Sequence, residues 1–292
     1  MPTVPATELF ETQRPRLLRL AYRMLGSVTE AEDVVQEAWL RWQRADRSDI
    51  DRPAAWLTRV VSRLCLDVMK SARMRRETYA GHWLPEPLVE PEDDELRADN
   101  LTLTLMLALE RLSPLERAAF LLHDVFDVPL SEIADTLGRE KAAVRQLASR
   151  ARRNVQADQP RYAVDRQEGN RIVHAFLDAT QTGDIDRLQS LLTEGVEIHS
   201  DGGGKVLAFP NVIRGIDRAL KLYEGLFHKL GPAQRVLRLT RIDGLPGYIS
   251  LYNGVLQTTA FEIRAGRIAA IYMIRNPDKL THVRIGVEDR LH

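Results

Sequence analysis

Leu130-Ser-Glu-Ile-Ala-Asp-Thr-Leu-Gly-Arg-Glu-Lys-Ala-Ala-Val-Arg-Gln-Leu147 is the stretch from which the rest of the chain can be read. Ile133, Ala134 and Leu137 share one face of a first helix. Gly138 stands where the chain must turn with positive φ, which glycine does without steric cost. Val144 and Leu147 face back onto the first helix, and the small Ala134 lets the two helices cross closely. Outside that core lie Lys141, Arg145, Gln146, Ser149, Arg150, Arg152 and Arg153, and residues 139–153 hold six basic side chains against one acid, Glu140. The pattern predicts a helix-turn-helix whose second helix enters a DNA major groove. Arg145 and Gln146 suit base edges, and the arginines beyond them suit phosphates. The alternative is a plain helical hairpin with a solvated basic face.

The chain has 292 residues, 44% of them hydrophobic, with 41 basic and 41 acidic side chains. That length predicts two or three domains. A protein that grips duplex DNA unaided is usually basic overall, so the balanced charge points to another molecule that helps hold the DNA. A single cysteine, Cys65, excludes an internal disulfide and a multi-cysteine zinc site; no cofactor or metal is expected, and a reducing cytoplasm fits. The N-terminus has no apolar signal core, and no run is long enough to span a bilayer.

Residues 8–153 read as almost entirely helical. A first helix carries Leu9, Phe10, Leu17, Leu18, Ala21, Tyr22 and Leu25 and ends near Gly26. Thr29 and Glu32 have capping-box spacing. Ala31, Val34, Val35, Ala38 and Trp42 repeat at helical spacing and are expected to be buried. Asp33, Gln36, Glu37, Leu40 and Arg41 form a second, exposed stripe. After a polar loop, 44–52, Pro53 opens a long helix. From Arg59 to Arg76 it carries six positive residues and one acid, Asp67. Trp56 and Cys65 are expected in its packed face.

The charge then reverses: between Glu77 and Asn100 stand eight acids, one arginine and three prolines, the composition of a linker. Trp83-Leu84-Pro85-Glu86-Pro87 is too apolar for a solvated linker and is expected to dock. Helical pattern resumes at Leu101–Leu112, and Ser113-Pro114-Leu115-Glu116 signals a capped helix running to about Phe126. Past Pro160 the character changes. Residues 170–192 predict two helices split at Gly183. Val196–His199, Val236–Ile242, Tyr248–Tyr252, Leu256–Ile263 and Ile268–Ile274 then read as strands, with turns at Gly244–Gly247 and Ala265–Arg267. This predicts an α+β domain with a mostly antiparallel sheet.

Two helical domains, the second a helix-turn-helix, joined by an acidic linker resemble the extracytoplasmic-function (ECF) sigma factors of bacteria. Ala31-Glu-Asp-Val-Val-Gln-Glu-Ala-Trp-Leu-Arg-Trp42 is similar to sigma region 2.2, which binds the clamp of core RNA polymerase. Pro53-Ala-Ala-Trp-Leu-Thr-Arg-Val-Val-Ser-Arg-Leu-Cys-Leu-Asp67 resembles regions 2.3 and 2.4, which melt and read the -10 element. Leu112–Phe120 with the helix-turn-helix resembles region 4, which reads the -35 element; Glu140 stands where region 4 often has Ser or Thr. Trp83–Pro87, Asp201-Gly-Gly-Gly-Lys205 and Asn276-Pro-Asp-Lys-Leu280 resemble three signature motifs of a subgroup that carries a fused C-terminal SnoaL-like domain of cone-shaped α+β fold. The resemblance implies a multidomain chain: region 2 over 8–76, acidic linker 77–100, region 4 over 101–156, and a SnoaL-like regulatory domain over 168–285.

It further implies the contacts. Asp33, Gln36, Glu37, Leu40 and Arg41 would meet polymerase. Arg59, Arg63, Lys70 and Arg73 would follow the -10 strand, with loop 44–52 capturing bases. Lys141, Arg145, Gln146, Ser149, Arg150 and Arg153 would meet the -35 duplex. Trp83, Leu84 and Pro85, Asp201, Gly202, Gly203, Gly204 and Lys205, and Asn276, Pro277, Asp278, Lys279 and Leu280 would converge on a regulatory interface between the SnoaL-like domain and the sigma domains, so that no separate anti-sigma protein or membrane partner is needed. Removing everything after Ile274 is expected to loosen that restraint and leave the fold mostly intact. Two alternatives stay open. One is a stand-alone helix-turn-helix regulator with a ligand-sensing domain. The other is a catalytic SnoaL-like domain using His174, His199 or Asp201 as general base.

Overall fold

The computed structural model describes residues 6–77, 79, 81–90, 103–156, 164–230 and 234–287, with backbone only at 72–77, 156 and 230. The chain divides into two compact units: 1–77 with 105–159, and 78–104 with 160–292. The 78–104 linker therefore belongs with the C-terminal domain, although it joins two parts of the helical unit in sequence.

In the helical unit, α1 (Ala6–Leu25), α2 (Val28–Arg44) and α3 (Pro53–Glu77) pack around Phe10, Leu17, Leu20, Val34, Val35, Ala38, Trp42, Leu57, Val61 and Cys65. The five apolar positions expected to be buried on α2 are buried. Trp42 also donates its indole N–H to the Ala6 carbonyl at 2.9 Å and packs on Trp56. The cap of α2 differs from the expected Thr29–Glu32 pair: Ser27 Oγ accepts from Glu30 N at 3.1 Å. Gly26 at φ 70° ends α1 abruptly, so the next residue is already extended and serves as the cap. Burial raises the Cys65 thiol pKa, leaving it an inert apolar side chain.

The second helical group is α4 (Leu103–Glu110), α5 (Pro114–Phe120) with a π-helical turn to Val125, α6 (Leu130–Leu137) and α7 (Lys141–Gln156). The Ser113–Glu116 capping box forms as predicted. Gly138 closes α6 at φ 61°, and Ile133, Val144 and Leu147 are buried between α6 and α7.

In the C-terminal unit, α8 (Arg166–Thr182) and α9 (Ile185–Leu191) are split at Gly183, φ 73°. They lead into β1 (Leu192–Asp201) and β2 (Ile213–Arg214). A helix absent from the sequence reading, α10 (Ile216–Leu230), follows; its apolar residues Ile216, Ala219, Tyr223 and Phe227 had helical spacing. Strands β3 (Gln234–Ile242), β4 (Leu245–Tyr252), β5 (Val255–Arg264) and β6 (Arg267–Ile274) complete a six-stranded sheet of order β2-β1-β6-β5-β4-β3, antiparallel except for β1 beside β6. The β3–β4 turn is the pair Asp243–Gly244, both at positive φ, and Pro246–Gly247 lie within β4 rather than in the predicted turn. Tight two-residue turns of this kind match strand twist. The short α11 (Thr281–Ile285) ends the described chain.

Strand alternation gives this sheet two different faces. Val196 and Ile198 of β1 join Phe261, Ile263 and Ile271 against α8, α9 and α10 in one core. Glu197, His199 and Asp201 point the other way, toward the linker.

Candidate functional site

Asp201 ends β1 fully buried, and its carboxylate accepts four hydrogen bonds. Tyr79 Oη donates to Oδ1 at 2.6 Å and Gly203 N at 3.0 Å; Leu84 N donates to Oδ2 at 2.8 Å and Lys279 Nζ at 2.7 Å. Lys279 Nζ also donates to the Leu84 carbonyl at 2.5 Å and lies over the rings of Trp83 (4.4 Å) and Tyr79 (4.9 Å). Asn276 donates to Tyr79 Oη at 2.8 Å, and Lys205 pairs with Asp278. Burial and the Asp201 carboxylate push the Tyr79 phenol pKa upward, so it stays a donor. A buried ion pair repays its desolvation only when every remaining donor and acceptor is satisfied; here the Leu84 backbone serves both partners, and Tyr79 Oη and Gly203 N fill the other carboxylate oxygen.

The three sequence motifs thus meet in one clasp. Two glycines are required there. A Cβ on Gly203, at φ 63°, would collide with the Asn276 amide, and one on Gly202 would strike the Val206 carbonyl. The sequence reading missed Tyr79 and His82, because a lone aromatic and a lone histidine in a polar linker carry no spacing signal.

Farther along, the linker adds a strand-like rung to β3. Val89 bridges Ile242, Glu90 N donates to the Arg241 carbonyl at 3.0 Å, and Asp243 N donates to the Leu88 carbonyl at 2.8 Å. At its far end Leu103 N donates to the Asp243 carbonyl at 2.9 Å, and Thr104 Oγ1 to the buried Glu262 at 3.1 Å. The described linker is therefore fastened at both ends and in the middle. Leu280, Val283 and Val287 beyond the clasp are each 3% exposed or less. Cutting after Ile274 would strip these apolar side chains away, so the expected intact fold does not follow from that deletion.

Beside the clasp, His199 Nδ1 faces His82 Nε2 at 3.0 Å, and His199 Nε2 faces Glu197 at 3.1 Å. Glu197 is itself tied to Arg214 at 2.8 Å, and the His199 ring stacks on Tyr272. Burial, then the neighbouring His82, depresses the His199 pKa to about 4 from its ordinary 6.5; burial lowers His82 as well. Both folded values lie below the unfolded one, so the folded state binds fewer protons. The stabilisation is complete above about pH 6.5 and drains away as pH falls toward about 4. For His199 alone we expect urea-unfolding stability about 2 kcal/mol lower at about pH 5 than at about pH 7.5. The His199→Gln protein should lose most of that slope.

Of the candidate general bases, His174 is exposed on α8, and His199 and Asp201 face the linker. None lines the apolar cavity on the opposite sheet face between α8, α10 and the strands.

In the helical unit, Asp33, Gln36 and Arg41 are exposed and Glu37 and Leu40 half-buried along α2, with Arg41 bonded to Glu37 at 2.8 Å. Loop 44–52 is mostly exposed around a short 3-10 turn that Asp46 caps. Lys141, Arg145, Gln146, Ser149 and Arg153 are exposed on α7. Arg150 pairs with Glu116 at 3.2 Å and Arg152 with Asp124. Lys70 is exposed beside Asp67, Arg59 is half-buried, and the Arg73 side chain lies outside the described residues.

Arg63 is placed differently from a free strand-tracking arginine. It donates to the carbonyls of Thr136 (3.1 Å) and Asp135 (2.9 Å), capping the C-terminus of α6. Other arginines join the same two helical groups. Arg16 donates to Thr58 and to the Phe126 carbonyl, Arg52 pairs with Glu132, and Arg16 and Arg23 lie over the Phe126 ring. Arg117, 1% exposed, donates to the Arg23 carbonyl at 3.0 Å and pairs with Glu110 at 2.5 Å.

Comparison with known proteins agrees with this layout. Residues 9–75 match the Sigma-70 region 2 model and residues 102–155 the Sigma-70 region 4 model. ECF RNA polymerase sigma factor SigJ of Mycobacterium tuberculosis is 41% identical over 288 residues, covering 93% of this chain and 92% of that protein. The probable ECF sigma factor SigI of the same organism is 36% identical, covering 96% of each. The crystal structure of M. tuberculosis SigJ superposes with a TM-score of 0.76 at 38% identity, covering 94% of this chain and 98% of that one.

Proposed function

The chain belongs to the ECF sigma factors of RNA polymerase, and from that premise we propose that its C-terminal domain governs sigma activity by gripping the linker between regions 2 and 4. Sigma factors bind core polymerase and promoter DNA. Two DNA-reading domains on a linker engage together when their reach matches the spacing of the two promoter elements. A linker bonded to another domain at residues 79, 82, 84, 88–90 and 103–104 has lost that freedom of reach. The observation that carries the proposal is the buried Asp201–Lys279 pair closed on the Leu84 backbone. Because the grip is intramolecular, it needs no separate anti-sigma protein, and the protein works in the cytoplasm beside its polymerase. Among the described residues no helix is long and apolar enough to cross a membrane.

The remaining roles follow from exposure and charge. Asp33, Gln36, Glu37, Leu40 and Arg41 are assigned to the polymerase clamp. Arg59, Lys70, Arg73 and loop 44–52 are assigned to the melted -10 strand, joined by Arg63 once α6 releases it. Lys141, Arg145, Gln146, Ser149 and Arg153 are assigned to the -35 duplex, with Arg150 available if it leaves Glu116.

Arg145→Ala is expected to weaken -35 recognition by about 1–3 kcal/mol at one base pair. Arg153→Ala should weaken all sequences alike and flatten the salt dependence. Competition binding of polymerase holoenzyme to promoter variants separates the two. Purified core polymerase with this protein should begin synthesis at start points that core alone does not use. A protein that neither associates with core nor changes its start points would overturn the assignment.

A further inference from the structure

The cavity on the far side of the sheet from the clasp has features of a ligand site. It measures about 80 Å³ and is walled by the rings of Phe176, Tyr223, Phe227 and Tyr248 with Met273. Phe227 seats against Gly183, where any side chain would collide with its ring. Two of the residues lining it carry buried polar atoms with capacity to spare. Ser200, 2% exposed, has its hydroxyl buried without a partner among the described residues. Arg275 has its Nε buried and unpartnered, and no carboxylate among the described residues pairs with it. Its Nη1 donates to the Leu207 carbonyl at 2.7 Å, and its guanidinium lies over Tyr252. Leaving such groups unmade in low dielectric is costly, and a bound anion would satisfy them.

We propose that this cavity binds a small single-ring aromatic carboxylate, its ring among Phe176, Tyr223 and Phe227 and its carboxylate on Arg275 and Ser200. The apolar walls with a few convergent polar groups are the usual make-up of a small-molecule pocket. An arginine at its half-exposed side selects a planar anion.

The same residues connect the pocket to the clasp. Ser200 directly precedes Asp201, and Arg275 precedes Asn276. The backbone N–H groups of Arg275 and Asn276 both donate to the Asp201 carbonyl, at 2.8 and 3.0 Å. The glycine-rich loop that starts at Gly202 carries Lys205 to Asp278 of the clasp and Phe209 to the cavity wall. A ligand drawing on Arg275 and Ser200 therefore acts on the segments that hold Asp201 and Asn276. This coupling, though not the binding itself, rests on the linker-grip reading above.

Benzoate titrated into the full-length protein, followed by calorimetry, tests the site. Saturable one-to-one binding is expected, with benzamide, the neutral isostere, at least tenfold weaker. Arg275→Gln should erase that preference. Equal binding of benzoate and benzamide to the unaltered protein, or no saturable binding of either, would overturn the proposal without recourse to any variant. Hydrogen exchange at the Leu84 and Gly203 amides is expected to change at least fivefold on saturation. Binding with unchanged exchange would overturn the coupling. The grip reading is tested independently by Lys279→Met, which leaves the cavity lining untouched.

Discussion

Asp201→Asn is expected to unfasten the linker. The carboxylate receives four donors, two on each oxygen, from Tyr79, Gly203, Leu84 and Lys279. An asparagine of the same size offers one acceptor oxygen and turns an NH2 group toward two donors. The Lys279 ammonium, 7% exposed, keeps its place but loses its counter-charge. Breaking one side of a buried pair typically costs about 3–5 kcal/mol, well above the net value of an ordinary hydrogen bond. We expect urea unfolding of the full-length protein to register a loss of that order. Exchange of the Leu84 amide should accelerate by about two orders of magnitude or more. Replacing both partners, Asp201→Leu with Lys279→Met, should recover much of the stability, since no charge is then stranded. Unchanged Leu84 exchange in Asp201→Asn would show that the linker is held by its apolar contacts and not by this pair.

The second large effect is expected at Arg117. Its guanidinium caps the end of α1 through the Arg23 carbonyl and neutralises Glu110, almost entirely out of water. Arg117→Met would remove this ion pair from Glu110 and this donor from Arg23, a loss of up to about 3–5 kcal/mol. The loss falls on the contacts of α5 with α1 and α4 and not on hydrogen bonds within a helix. The helices should therefore persist by circular dichroism while the two helical groups separate. Spin labels at exposed Gln36 on α2 and Ser149 on α7 should then report a broadened, longer distance distribution. Arg117→Lys should fall between, because an ammonium cannot serve both acceptors with the planar fork of arginine. An unaltered distance distribution in Arg117→Met would remove this residue from the closure of regions 2 and 4.

Much of this organisation is written locally. The buried stripe of α2, the capping box at Ser113, the αL glycine at 138 and the split at Gly183 depend on neighbours three or four residues away, and sequence spacing reports them directly. The motifs around Trp83, Asp201 and Asn276 could be seen to belong together by resemblance, but not how they join. Tyr79 and His82 acquire meaning only when β1 turns Asp201 and His199 toward them. The role of Arg63 is similarly invisible, because a basic helix face reads alike whether it meets DNA phosphates or the carbonyls of another helix. Helix α10 lies between strand-like runs, and its helical apolar spacing carries no cap signal strong enough to mark it. The displaced cap at Ser27 and the shifted turn at Asp243–Gly244 follow from a positive-φ residue taking the turn, a one- or two-residue choice that composition alone does not fix.

The claim that the C-terminal domain restrains sigma activity through the linker is tested most directly by run-off transcription. Core polymerase would be loaded with equal amounts of folded wild-type or Lys279→Met protein on one cognate promoter. The account predicts several-fold more transcript from Lys279→Met, because the linker regains its reach while every residue assigned to polymerase and DNA is intact. Equal output from the two proteins, with Leu84 exchange shown to be faster in the variant, would contradict it.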